Sequence, residues 1–240
     1  MTRPDFSLWV YLSTTPLLWL TATCGAWLLA TTVARRLRSH PVANPVLMAV
    51  AAVAVLLRLT GTPYRTYFDG AQFIHFLLGP ATVALALPLY VNWPLVRRNV
   101  LPMAAALVAG SCVAIGSAVG LALLFGLPGP AIVSVAPKSV TTPVAMAISE
   151  RLGGDPGLTA VLVILTGVVG AVVVTPLMDA LRIRDYAARG FAAGLASHGI
   201  GTARAFVVDP VAGTFSGVAL ALNAVFTAVA VPLVLWLLRS

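Results

Sequence analysis

The one lysine of this chain, Lys138, stands in the stretch VAPKSVTTPVAM (residues 135–146), among three hydroxyl side chains and between two prolines. An ammonium with Ser139, Thr141 and Thr142 beside it is a set of donors for a small anion such as a carboxylate. Pro137 and Pro143 add to this, because proline breaks a helix interior but suits its first turn. With Pro137 in a first turn, Lys138 and Ser139 stand at a helix N-terminus, where free amides and the helix dipole add positive potential. Lysines in membrane proteins mostly snorkel to the surface. The hydroxyls and the broken backbone favour an anion site instead.

A second set lies in GLASHGIGTARAF (residues 194–206). On a helix, His198 and Thr202, with Arg204 close by, project from neighbouring faces. The glycines here permit tight packing or local unwinding. A packing histidine and a surface-anchoring arginine are the plainer alternatives. Ser197 beside His198 does not make a hydrolase, since no acidic orienter or nucleophile elbow accompanies it. No catalytic set emerges elsewhere, so the chain does not read as an enzyme. Three scattered histidines and two cysteines lack metal-ligand spacing, so neither a metal nor a cofactor is expected. Of the lesser candidates, His75 reads as packing and Asn44 as a helix cap. Asp179, Asp185 and Asp209 border apolar runs and could pair with neighbouring arginines.

The elements that must position these residues follow from composition. Of 240 residues, 60% are hydrophobic and 9% charged, and the mean hydropathy is +0.98. Long uncharged runs exceed the roughly 20 residues that cross a bilayer as a helix. A β-barrel would need short, alternating strands instead. The expectation is an all-α polytopic membrane protein of roughly six to eight transmembrane or re-entrant helices, two of them interrupted. The net charge of +8 comes from arginines at the ends of these runs. They anchor and orient the chain rather than bind nucleic acid. Cys24 and Cys112 lie in apolar runs and read as buried, unpaired thiols. The start, MTRPDFSLWV, shows no cleavable signal, so the first helix stays in the membrane.

Along the chain, spans are expected at residues 16–34, 46–59, 101–124, 158–178 and 213–238, with a small-residue segment carrying polar groups at 187–206 and GTPYRTYFDG as a loop. FLLGPATVALALPLY is apolar but broken by Pro80 and Pro88, with Thr82 between them. Residues 80–88 and 137–145 share proline, a hydroxyl and valine at an offset of 57, which also relates Gly110 to Gly167. Paired, interrupted apolar segments point to a transporter's substrate site. Residues 80–88 and 137–145 are therefore expected to approach one another near mid-membrane, with His198 in the same polar cavity as Thr82 or Ser139. Topology stays open. Simple alternation from cytoplasmic Arg97 and Arg98 puts Arg182, Arg184 and Arg189 outside, against the positive-inside rule; a re-entrant segment at residues 135–149 removes the conflict.

Four stretches in order, LLGPATVALALPLY, APKSVTTPVAMAIS, GGDPGLTAVLVILTGVVGA and ASHGIGTARA, resemble the signature segments of the LrgB/CidB family. The likeness runs from about residue 44 onward and is weak over residues 1–43, within one domain of residues 1–240. It implies a multi-pass protein of the bacterial inner membrane, linked to murein hydrolase activity and holin-like control of lysis. A related plastid protein carries glycolate and glycerate, and some bacterial members are tied to pyruvate uptake. The resemblance also implies a small LrgA/CidA-type membrane partner. Beyond the lipid bilayer, a small organic anion is the partner the residues suggest, and nucleic acid is not. The reading leaves room for a homo-oligomer. Two functions therefore compete: a secondary transporter of small monocarboxylates, coupled to protons or sodium, and a holin- or antiholin-like regulator of murein hydrolase activity.

Overall fold

The computed structural model describes residues 16–37, 45–77, 80, 83–84 and 86–238; of Pro16, His75, Ala86 and Pro88 it describes the backbone alone. Thr82 and Asn44 lie outside the described residues, as does much of the stretch between Pro80 and Pro88. Eleven helices are described: α1 Pro16–Arg36, α2 Pro45–Thr60, α3 Tyr64–Phe76, α4 Ala86–Val91, α5 Trp93–Arg98, α6 Val100–Leu124, α7 Gly129–Val135, α8 Thr142–Arg151, α9 Pro156–Ala180, α10 Tyr186–Val208 and α11 Pro210–Leu237. Four of them, α1, α6, α9 and α11, are long and apolar enough to cross a membrane. Their outer faces stay apolar, as at Leu101 and Leu124, which suits lipid. The protein is an all-α, multi-pass membrane protein.

The chain divides into two compact units, residues 1–86 and 87–240. In the first, Trp19 of α1 is buried, packs edge-on to Tyr67 of α3 and fills the space beside Gly70. Tyr67 and Thr23 share a hydrogen bond of 3.1 Å. Most of GTPYRTYFDG, expected as a loop, is thus the start of a helix whose aromatic face packs on α1. Cys24 and Cys112 are free and exposed, not buried, because each sits on the outward face of its helix.

In the second unit the helix starts are written in the sequence. Asp155, Asp185 and Asp209 each precede a helix, and their carboxylates accept first-turn amides at 2.7–3.2 Å. Pro156 and Pro210 occupy first-turn positions, where a missing N–H costs nothing. Asp179 pairs with Arg189 at 2.7 Å, as the charges suggested.

The arms α7 and α8 have seven and ten residues, about 10 and 15 Å long, too short to cross a core of about 30 Å. They fold back on each other. Thr159 Oγ1 lies 3.1 Å from the Ser134 carbonyl near the end of α7 and shares a hydrogen bond of 2.8 Å with Ser149 Oγ near the end of α8. Val133 and Ala136 pack in one cluster with Ile148. Residues 129–151 are therefore a re-entrant hairpin, with its tip at residues 136–141. With residues 129–151 turning back, the conflict between alternation and the positive-inside rule disappears. Val96 and Met103 cluster with Phe191 and Phe215, so Arg97 and Arg98 share one end of the bundle with Arg182, Arg184 and Arg189. By the positive-inside rule that end is cytoplasmic.

The helix α10 is itself broken, at His198, whose φ of 42° and ψ of −136° reverse the chain. Ala193 packs against Ala205, and Arg189, Gly190, Arg204 and Val208 line one small cavity. Residues 186–208 are thus a second hairpin, entering from the basic end. The first enters from the opposite end. Both have 23 residues at an offset of 57, and each follows a span of 25 residues, α6 or α9. The two spans run in opposite directions. The offset that relates Gly110 to Gly167 is the mark of this inverted repeat, and the second described interruption is at His198.

Candidate functional site

The two tips meet halfway along the bundle. The residue that joins them is Asn223, at the middle of α11 and 2% exposed. Its Nδ2 donates to the Ser139 carbonyl in the first tip, at 3.2 Å, and to the Leu195 carbonyl in the last turn before the second break, at 3.1 Å. Its Oδ1 accepts from Ser111 Oγ of α6, at 2.8 Å, and from Thr227 Oγ1, at 3.1 Å. All four hydrogen-bonding positions of the amide are filled. Sequence reasoning passed over this residue, though its signal is plain: one amide in an uncharged 28-residue helix. Such a group in lipid needs partners.

A second link between the tips runs through Val163 of α9. His198 Nε2 lies 2.9 Å from the Val163 carbonyl, and the Val163 side chain packs against Val140 and Ala145 of the first hairpin. Gly167 makes room for the imidazole, since a Cβ there would strike the ring. The segment around His198 is buried among helices: Ser197 and Thr202 are buried too, and Thr202 Oγ1 donates to the His198 carbonyl at 2.9 Å. Thr202 also bonds Ser216 of α11 at 2.9 Å, so its hydroxyl holds the hairpin against that span.

Lys138, Ser139, Thr141 and Thr142 all stand at the first tip, but not in the helix turn expected of them. The helix after the break begins at Thr142, with Pro143 in its first turn. Pro137, Lys138 and Ser139 form the turn before it, closed by hydrogen bonds from Lys138 N to the Val135 carbonyl and from Val140 N to the Pro137 carbonyl. The preceding helix simply runs to Val135, and the first proline ends it rather than starting the next. Thr141 is the N-cap residue but makes no capping hydrogen bond. Lys138 is half-buried, and among the described residues no carboxylate lies within 4.0 Å of its ammonium.

The electrostatics of the meeting point follow from helix direction. The helix α8 starts there, and so does the second arm of the other hairpin, residues 199–208. Two positive helix ends from opposite sides thus converge on one layer. Ser197 Oγ, wholly buried in that layer, has no hydrogen-bond partner among the described residues. Arg204 is elsewhere. It lines a cavity of about 20 Å³ beside Arg189, toward the basic end, with its Nε buried and without a partner among the described residues.

A family model of the LrgB-like family matches residues 23–237. YwbG of Bacillus subtilis (strain 168) is 40% identical over 80% of this chain and 85% of its own. A protein of Haemophilus influenzae (strain Rd) is 34% identical over 88% of this chain and 90% of its own. The holin-like protein CidB of Staphylococcus aureus (strain N315) is 31% identical over 82% and 86%. No solved structure matches. The match includes both hairpins, all four long spans except the start of α1, and the residues at both tips, so the chain belongs to the LrgB-like family of membrane proteins.

Proposed function

We propose that the protein is a secondary carrier of a small organic monocarboxylate, of the size of glycolate, glycerate or pyruvate. The observation that carries this is the convergence of two half-helix N-termini, from hairpins entering at opposite ends, beside a half-buried lysine with no carboxylate partner among the described residues. Broken helices of this kind, related by an inverted repeat, are how carriers place a substrate site mid-membrane and reach it from either side. In this reading Lys138 holds the carboxylate, and Ser139, Thr141 and Thr142 supply neutral donors. His198 and Ser197 face the same layer from the second tip. Thr202 holds the second hairpin in place, and Arg204 serves the basic entrance.

The staphylococcal relatives are named holin-like proteins, which favours a second reading; in it the chain is a holin-like regulator, to which the family resemblance adds control of murein hydrolase activity and a small LrgA/CidA-type partner. That role needs a lesion that passes large solutes. One experiment separates the two. Proteoliposomes holding the purified chain are tested for uptake of labelled pyruvate or glycolate and for release of a trapped dye too large for a carrier. Saturable uptake without dye release is expected; dye release without saturable uptake would transfer the assignment to the holin-like reading.

A further inference from the structure

We propose that Asn223 marks a binding site for a monovalent cation of sodium size, formed by oxygens that the two hairpin tips bring together. The carbonyls of Ser139 and Leu195 lie on the Nδ2 side of the Asn223 amide, and the hydroxyls of Ser111 and Thr227 on the Oδ1 side. The two carbonyls come from opposite hairpins. Each lies at or just beyond the C-terminal end of the arm that enters the bundle, where the helix dipole is negative. Carbonyls only accept hydrogen bonds, so two that face one point need something positive between them. In this structure the Nδ2 amide with its two hydrogens does that.

The hydroxyls of Ser111 and Thr227 can donate or accept. If the Asn223 amide turns over, both hydroxyls accept from Nδ2 and no hydrogen bond is lost on that side. Oδ1 then faces the two tip carbonyls, and three oxygens surround a point that suits a metal cation. Water or the substrate carboxylate completes the shell, which ties cation and anion binding to the same closed tips. The ligands are all neutral, and among the described residues no cluster of three or more His, Cys, Asp or Glu could hold a metal. A divalent ion would not be compensated for its lost hydration by such a set. A sodium-sized ion would. The coupling ion this supplies rests on the carrier reading, whereas the site itself does not.

The test is thermal unfolding of the purified full chain in detergent, with sodium chloride exchanged for choline chloride at constant ionic strength. Sodium should raise Tm in a saturating way, and potassium should do so much less. Asn223→Leu should abolish the response. Thr227→Val should raise the half-saturating sodium concentration severalfold, with recovery in Thr227→Ser, which keeps the proposal testable if the leucine variant does not fold. Equal effects of sodium, potassium and choline, or a sodium response unchanged in both Asn223→Leu and Thr227→Val, would overturn the site. A sodium response in a protein that carries no carboxylate would keep the site and remove the carrier reading.

Discussion

The two hairpins have equal length and meet at one asparagine, yet they are held in unlike ways. The first is tied by side chains: Ser134 accepts from the Asp155 amide at 2.8 Å, and Thr159 reaches both of its arms. Its tip spans residues 136–141 and carries an ammonium and hydroxyls. The second is tied mainly by close backbone approach, with the Thr202–Ser216 hydroxyl pair beside it. A Cβ at Gly190 or Gly194 would run into the carbonyls of Ala212 or Ser216 in α11. Its tip is a single reversed residue without a charge, locked to the Val163 carbonyl. Backbone contact leaves little slack, whereas hydroxyl bonds can be exchanged with water or ligand. In the proposed carrier, recognition would fall to the first tip, with the second as the frame against which it works.

The largest effect expected from that contrast is at Gly194. Gly194→Leu should remove the folded protein's peak from size-exclusion profiles in detergent, because backbone cannot step aside as a side chain can. An intact, stable Gly194→Leu protein would break the distinction. Next comes the charge. Lys138→Met should leave folding intact and cut carboxylate uptake by at least roughly thirtyfold, the low end for deleting one partner of a buried charged pair, about 2 kcal/mol. Lys138→Arg should keep part of the activity, limited by its different donor geometry.

A smaller effect is expected at His198. Its backbone conformation suits glycine, so His198→Gly should gain about 1 kcal/mol in the chain and lose about the same in the ring's hydrogen bond. Its Tm should sit close to that of the parent, while His198→Val, which keeps the strain and loses the bond, should be clearly lower. Similar values for the two would show that the ring, not the backbone, sets the tip. The smallest is Ser149→Ala, which should cost on the order of 1 kcal/mol and register as a modest Tm decrease, since Thr159 retains its bond to the Ser134 carbonyl.

The sequence by itself determined the solvent, the spans and most of their ends. Uncharged runs of more than about 20 residues can lie only in lipid or protein, and an aspartate before a first turn caps the same way in any tertiary setting. It also marked Lys138 and its hydroxyls, because an ammonium in an apolar chain is costly wherever it lies. Only the tertiary structure decided that α7 and α8 turn back rather than continue, that Pro137 ends one helix while Pro143 starts the next, and that His198 reverses its own. A proline break or a run of glycines permits a kink, a hairpin or a loop with nearly equal local energy. The choice is made by partners far along the chain: Thr159 for the first hairpin, Ala212 and Ser216 for the second, and Asn223 for both.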